Sequence, residues 1–459
     1  MKNPFQPLNY SLVKMQKNCL WVFSIRIKKS LLLFYLLFTT LFNQQTVNAQ
    51  TELRYENAVY HPQIASVELL VNGKIANLPV IDLQQQGIFT LEFDWLGDEQ
   101  PTLSYKLLHC NARWQPDDLM PFDFMDGFST GDIEDYRPSR GTKQPYTHYL
   151  LPLPNRDMRR FLKSGNYLLA VYLPNKKDDN ILLSHRLVVA DLQVGIEAQA
   201  LTPGRLTLQG THQQLDFALD FGTNNKFFLP QQEITVYVLQ NGRWDNALVN
   251  PQPAFMYDHR WVYGQGQPFY FSGGSDFRYF DTQSLLHWND EIANILYYDD
   301  PEQATQVILQ PDESKTSMRG RVRANIGDLN GAFVIGNADG LLVRNDPDYV
   351  WVQFFLPAIN PWPNEQLYLL GAFTNWQLLP QFSLDYDAQK RQYTKNIYLK
   401  QGYYNYLYVL NSENTTIDLA AFEENRYNTE NDYYFLVYWT PFGSQYDQLI
   451  GFKRLNTLY

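Results

Sequence analysis

The chain lacks most of what chemistry-bearing sequences carry. Of its 459 residues only two are cysteine, and Cys19 falls within the first fifty. The remainder keeps Cys110 alone, which excludes a disulfide framework. Set in Leu107-Leu108-His109-Cys110, that thiol reads as a small hydrophobe on a buried strand. The seven histidines, His61, His109, His148, His185, His212, His259 and His287, stand singly, without the His-x-His or His-Glu-x-x-His spacing of a metal centre. No nucleophile elbow, P-loop or dinucleotide fingerprint is present. Asp328-Leu329-Asn330-Gly331 and Asn337-Ala338-Asp339-Gly340 lack the ladder of oxygen ligands of a calcium loop and read as tight turns. Adjacent acids such as Asp117-Asp118 and Glu134-Asp135 are common in solvated loops, and a hydrolase would need two carboxylates facing across a cleft. The expectation is a protein with no catalytic residue, no metal, no cofactor and no enzymatic activity.

Long apolar runs are scarce as well. Leu31 to Phe42 spans about a dozen residues, short of the ~20 a membrane-crossing helix needs. Arg26, Lys28 and Lys29 precede it, and Val47-Asn48-Ala49 follows as a small-residue cleavage site. Residues 1–49 therefore read as a signal peptide, cleaved near Ala49, and the mature chain as exported. Cys19 precedes the apolar run and cannot serve as a lipoprotein cysteine. Residues 1–14 look like an upstream extension, so Met1 and Met15 both remain open as the start. Residues 1–49 hold six of the 37 basic residues and no acid, which leaves 31 basic against 48 acidic residues, a net charge of −17. No basic stripe interrupts that excess, so neither nucleic acid nor an anionic membrane surface is an expected partner.

What the chain has in abundance is aromatic residues: 32 Tyr, 29 Phe and 10 Trp, types that favour pleated, half-buried surfaces. Val350 to Leu356 is a β-branched and aromatic run stopped by Pro357. Ile234 to Leu239 runs into Asn241-Gly242, a hairpin signal because both residues accept positive φ. Thr394 to Leu399, Lys400-Gln401-Gly402 and Tyr403 to Leu410 read as another hairpin. Helical periodicity is confined to short turns around 155–162 and 281–294. Strands at roughly 8–12-residue spacing indicate an all-β fold of tandem β-sandwiches, immunoglobulin-like or early-set-like. An outer-membrane barrel fits less well, because no lipid-facing band emerges. Pattern changes near residues 195 and 346 divide the mature chain into 50–195, an N-terminal sandwich, 196–345, a middle β domain, and 346–459, an early-set-like C-terminal sandwich.

Between His109 and Tyr172 lies a long aromatic and acidic stretch, HCNARWQPDDLMPFDFMDGFSTGDIEDYRP, followed by YTHYLLPLPN and SGNYLLAVY. This stretch resembles the first domain of the plug protein of the Bacteroidetes type IX secretion system. NGRWDNA (241–247), FSGGSDFRYFDTQSL (271–285), GAFTNWQ, QGYYNYLYV and NRYNTENDYYFLVYW agree with that family in the same order. The resemblance implies a non-enzymatic periplasmic plug that binds the outer-membrane translocon barrel and closes its periplasmic end.

The segment from Pro116 to Tyr146 is the expected working surface. It carries Phe122, Phe124, Met125, Phe128, Tyr136 and Tyr146 among seven acids, an anchor-and-rim pattern typical of protein interfaces. A loop longer than ~12–15 residues is usually functional or disordered. The alternative is that its aromatics fold back to cap the first sandwich. A second function class comes from Gly371-Ala372-Phe373-Thr374-Asn375-Trp376, which resembles the G-x-F-x-x-W segment of early-set carbohydrate modules. On that reading Trp362, Trp376 and Tyr403 stack on a glycan, whereas the plainer reading packs Phe373 and Trp376 beneath a turn.

Overall fold

In the computed structural model the described residues are 52–457, apart from 175–179, 224–226, 228–229, 301–302, 314–327, 340–345, 412–416, 418 and 420–421. The expected signal peptide and its cleavage site lie outside them. Among the described residues no helix is long and apolar enough to cross a membrane.

The fold is all-β, and residues from Leu53 onward form one unit containing three sandwiches. In the first, one sheet runs in the order Ala58–Val59, Asn180–Ala190, Gly165–Leu173, Ser104–Cys110, Thr130–Asp132, with Val80–Asp82 added in parallel to Asn180–Ala190. Its partner sheet runs Lys74–Ile75, Ile64–Val71, Phe89–Leu96, Tyr146–Leu153, Asp135–Pro138. In the middle sandwich, one sheet is built from Gly195–Leu201, His212–Asp220, Arg260–Tyr263 and Phe255–Met256, with Phe269–Ser272 beside His212–Asp220.

Strand pairing crosses the expected boundary near residue 346. The second sheet of the middle sandwich is Leu248–Val249, Ile234–Gln240, Asp432–Trp439, Gln448–Asn456, so its last two strands come from the C-terminus. Arg278–Asp281, Ile292–Leu296 and Gln306–Leu309 pair instead with strands from later in the chain. A linear division at 346 therefore does not follow the sheets: a third sandwich, built between Arg278 and Asn411, is inserted into the middle one. The two connecting segments run side by side, with Gly274 N donating to Asn425 Oδ1 at 2.8 Å and Arg426 N to Gly274 O at 2.8 Å.

Strand chemistry explains how the layers stack. In Ile234–Gln240, Val236 and Val238 enter the middle core, while Tyr237 and Leu239 point to the opposite face. In Asp432–Trp439, Tyr433, Phe435 and Val437 face inward and Tyr434, Leu436 and Tyr438 face outward. Those outward faces pack on Leu168, Val188 and Ala190 of the first sandwich. Strands buried on both faces read as continuous apolar runs, which is how YYFLVYW reads. Cys110 is buried in this seam, and burial pushes its thiol up to about 12.

Several local expectations change in the fold. The run from Thr394 to Leu410 is not a hairpin: Gln392–Lys400 pairs with Tyr349–Pro357, and Gly402–Asn411 with strands of the facing sheet. The chain crosses from sheet to sheet at Gly402, where a Cβ would press on Val334 O. Around 155–162 there is no helix; Asn155 Oδ1 accepts from the N–H groups of Asp157 and Met158, and Met158–Phe161 pairs with Met125–Gly127. Residues 281–294 form turns and strand ends rather than a helix. Asn241 and Gly242 both take positive φ, 54° and 72°, but the loop they open extends to Ala247 before Leu248 pairs with Val238.

Candidate functional site

The expected loop from Pro116 to Tyr146 is largely built into the first sandwich. It contains a one-turn helix, Pro121–Phe124, with proline in its first turn, followed by three short strands. These strands pair in turn with Met158–Phe161, Ser104–Cys110 and Tyr146–Leu153.

This folding divides the six aromatic and methionine candidates. Phe124, Met125 and Tyr146 are buried. Phe124 and Met125 belong to the first core, and the Tyr146 hydroxyl donates to Pro347 O at 2.9 Å. Phe122 is 74% exposed, Phe128 71% and Tyr136 45%. Tyr136 lies beside Tyr149, ring centroids 5.4 Å apart, with one face turned outward. Phe122 and Phe124 part company because residues two apart on a helical turn lie on opposite sides. The two alternatives thus divide by residue: three anchors pack inward and three remain outside.

Sequence reasoning passed over two further exposed hydrophobics. Met120 is 59% exposed beside Phe122, and Phe442, in the turn after Asp432–Trp439, is 87% exposed. The two segments converge on His109, whose ring lies 5.6 Å from Phe124 and 5.8 Å from Tyr446. Asp447 ties the turn down by accepting from Ala112 N at 2.7 Å. No local signal in Pro441-Phe442-Gly443 marks it, since its neighbours come from a different sandwich. The surface is set among acids already engaged: Asp117 bonds His109 Nδ1, Asp126 accepts from Arg159 at 2.7 Å, and Asp132 from Ser104 at 2.6 Å. It offers apolar anchors in a polar, acidic surround, an arrangement suited to binding protein rather than to bond-making chemistry.

Each ring of the expected glycan platform packs against a neighbour within the chain. Trp376 presents its edge to Phe277, 5.9 Å between centroids, and the Arg243 guanidinium covers it at 5.4 Å. Gly331 (φ 86°) allows this packing, since a Cβ there would collide with the Trp376 ring. Trp362 stacks on Tyr393 at 4.9 Å, and Tyr403 on Tyr279 at 5.4 Å. Each ring already has an intramolecular neighbour. The acids of the two calcium-like turns act as turn formers: Asp328 accepts from Asn330 N and Phe277 N, and Asp339 from Ser284 Oγ and Leu285 N. Burial raises Asp328 to about 6. Among the described residues, no three His, Cys, Asp or Glu side chains converge on a metal position.

The motifs shared in the resemblance make close structural contacts. In NGRWDNA, Gly242 approaches Asn77 O so closely that a Cβ would clash, and Trp244 meets Trp114 edge-on at 5.2 Å. In FSGGSDFRYFDTQSL, the buried Arg278 donates to Glu423 at 2.8 Å and to Asp312 at 2.9 Å. Residues 64–191, the first sandwich, match the family model of the type 9 secretion system plug protein 1st domain. The first sandwich is similar to the first domain of the plug proteins. The plug domain thus carries the exposed Phe122, Phe128 and Tyr136, and the match ties the chain to type 9 secretion. The three-sandwich architecture is similar to that of a hypothetical protein from Parabacteroides merdae ATCC 43184, known from a crystal structure at 2.30 Å, with a TM-score of 0.80 and 29% identity. That alignment covers 88% of this chain and 100% of the other, a share that needs the middle and inserted sandwiches as well as the plug domain. No curated protein matches the chain.

Proposed function

We propose that this chain is a periplasmic, non-enzymatic plug that binds the outer-membrane translocon barrel of the type IX secretion system and closes its periplasmic end. The match of residues 64–191 to the plug family carries this reading. Closing a wide pore is a steric task that needs stiffness and a binding face, not a reactive group. Stacked sheets with cores on both sides supply stiffness. The exposed Met120, Phe122, Phe128 and Tyr136 supply anchors, and Phe442 extends the face onto the middle sandwich. Engagement is reversible, because a plug must leave when the channel is used.

The test is affinity capture from detergent-solubilised outer membranes, with the tagged chain from residue 50 as bait and mass spectrometry as readout. A very large barrel protein should be recovered by the native chain and lost with Phe122→Ala, Phe128→Ala and Tyr136→Ala combined. Capture of no barrel, from cells that express one, would sink the proposal.

A further inference from the structure

The five-stranded sheet of the inserted sandwich turns one face to its core and the other outward. Val307, Val350, Val352, Phe354 and Ile397 enter the core. By strand alternation Gln306, Trp351, Gln353, Phe355, Asn396 and Tyr398 therefore lie on the outward face. Pairing sets them in rows: Gln306, Trp351 and Tyr398, then Ile308, Gln353 and Asn396, then Phe355 and Thr394. None of these side chains is charged, although charged residues make up 19% of the chain, so the face is selective against ion pairing. Charge returns at the edge strand, with Asp385 opposite Thr394.

The polar groups of this face are fixed and open. Trp351 is 40% exposed and is steadied from the side by Tyr398, ring centroids 4.9 Å apart. The Tyr398 hydroxyl donates to Gln144 Oε1 at 3.0 Å, so the first sandwich closes that end. Lys143 beside it is taken up, its Nζ donating to Tyr298 O at 2.6 Å. A directed chain runs inward from there: the Tyr298 hydroxyl donates to Gln306 Oε1 at 3.3 Å, and Gln306 Nε2 to Gln353 Oε1 at 3.1 Å. It ends on Gln353 Nε2, a donor held in orientation. Among the described residues neither Gln353 Nε2 nor the exposed Asn396 side chain has a hydrogen-bond partner. An indole thus stands beside oriented amides, and from Trp351 to Phe355 the strand runs about 13 Å. An ionic ligand finds no counter-charge among these rows. A purely apolar one would cover the amides without bonding them. A chain of pyranose rings meets both needs, with C–H faces for the indole and hydroxyls for the amides.

We propose that this face binds a neutral, extended oligosaccharide, with Trp351 as the stacking surface and Gln353 and Asn396 as hydroxyl partners. The site is separate from Trp362, Trp376 and Tyr403, and its occupancy does not depend on the plug reading.

The experiment is isothermal titration of the chain from residue 50 with cellotetraose, maltotetraose, mannotetraose and chitotetraose, alongside tetragalacturonate. At least one neutral tetrasaccharide should bind saturably, and Trp351→Ala should weaken it by about tenfold or more. Gln353→Leu should weaken it less, and Trp351→Phe, which keeps a ring, should retain much of the binding. Should Trp351→Ala lower the unfolding midpoint, the contrast between Trp351→Phe and Gln353→Leu carries the test. Failure of all four neutral sugars to bind would overturn the proposal. So would preference for tetragalacturonate, or binding unchanged by these substitutions. A face that instead captures a protein, lost with Trp351→Ala while no sugar binds, would overturn it as well.

Discussion

Toward the middle sandwich, the first presents Leu168, Val188 and Ala190; toward the inserted one it presents Ser66, Asp94 and Tyr146. The seam with the middle sandwich is an apolar interlayer that also holds the Arg186 guanidinium. There Arg186 lies over Trp114 at 4.4 Å, faces Trp244 at 5.6 Å and donates to Tyr55 O at 2.8 Å. Burial lowers its pKa to about 10, still well above neutral. The seam with the inserted sandwich is ionic. Fully buried Asp94 accepts from Lys400 Nζ at 2.6 Å and from the Tyr349 hydroxyl at 2.7 Å, and meets His148 Nδ1 at 2.7 Å. Lys400 also sits 4.1 Å from the Tyr146 ring centroid, and Glu92 lies 3.7 Å from His148. Two carboxylates thus face the Lys400 ammonium and the His148 ring. A third carboxyl, Glu68, is held up to about 8 by burial and then by the charge of Glu92. Apolar contact is non-directional and insensitive to pH and salt. A buried ionic seam is strong only while every partner is present and correctly protonated. The middle sandwich is fastened unconditionally and the inserted one conditionally.

The largest break should come from removing one member of the ionic seam. Asp94→Ala leaves Lys400 buried without its carboxylate and should cost ~3–5 kcal/mol in urea unfolding. Asp94→Leu combined with Lys400→Met should recover much of that loss, because no bare charge remains; a double variant as unstable as the single would contradict the account.

In the apolar seam, Leu436→Ala should cost ~2–5 kcal/mol, with no partner able to rescue it and the same loss at low and high salt. A marked salt dependence would erase the contrast.

Titration should sharpen the comparison. Glu68 has a folded pKa above its ordinary value, so its stabilising contribution is complete below about 4.5 and lost as pH rises through about 8. Burial opposes protonation of His148, yet bonds to Asp94 and Glu92 outweigh it and raise its pKa. Its contribution is likewise present below the unfolded value of ~6.5 and lost as pH rises through the folded one. Both changes point the same way. Hydrogen exchange should show faster opening of Tyr349–Pro357 and Gln392–Lys400 between pH 6 and 9, and Glu68→Gln should flatten that rise. Opening that slows toward alkaline pH would reverse the assignment.

The smallest effect on stability belongs to the exposed face. Phe122→Ala and Phe128→Ala should each change unfolding free energy by less than ~0.5 kcal/mol while weakening capture of the barrel. A large destabilisation would mean that these rings are packed in solution.

Period-two alternation made the strands legible, because it is written in neighbouring residues: Val350, Val352, Phe354 and Leu356 all enter the inserted core as their spacing implies. The first sandwich could be recognised from its own stretch of chain, and residue 195 falls where its last strand has ended and the middle sandwich begins. The insertion left no such mark. Strand Asp432–Trp439 looks the same whether its partner is near in sequence or, as found, the strand Ile234–Gln240.

Composition and local pattern by themselves determined an acidic, aromatic-rich, all-β chain with a single free thiol after its leader-like segment, because those properties belong to residues or to short runs. Tertiary structure alone decided which sandwich interrupts which, which of Phe122 and Phe124 faces water, and that Asp94 meets Lys400. Each of these depends on burial created by partners far away in the chain, and desolvation and packing are properties of the assembled neighbourhood rather than of a residue and its immediate neighbours.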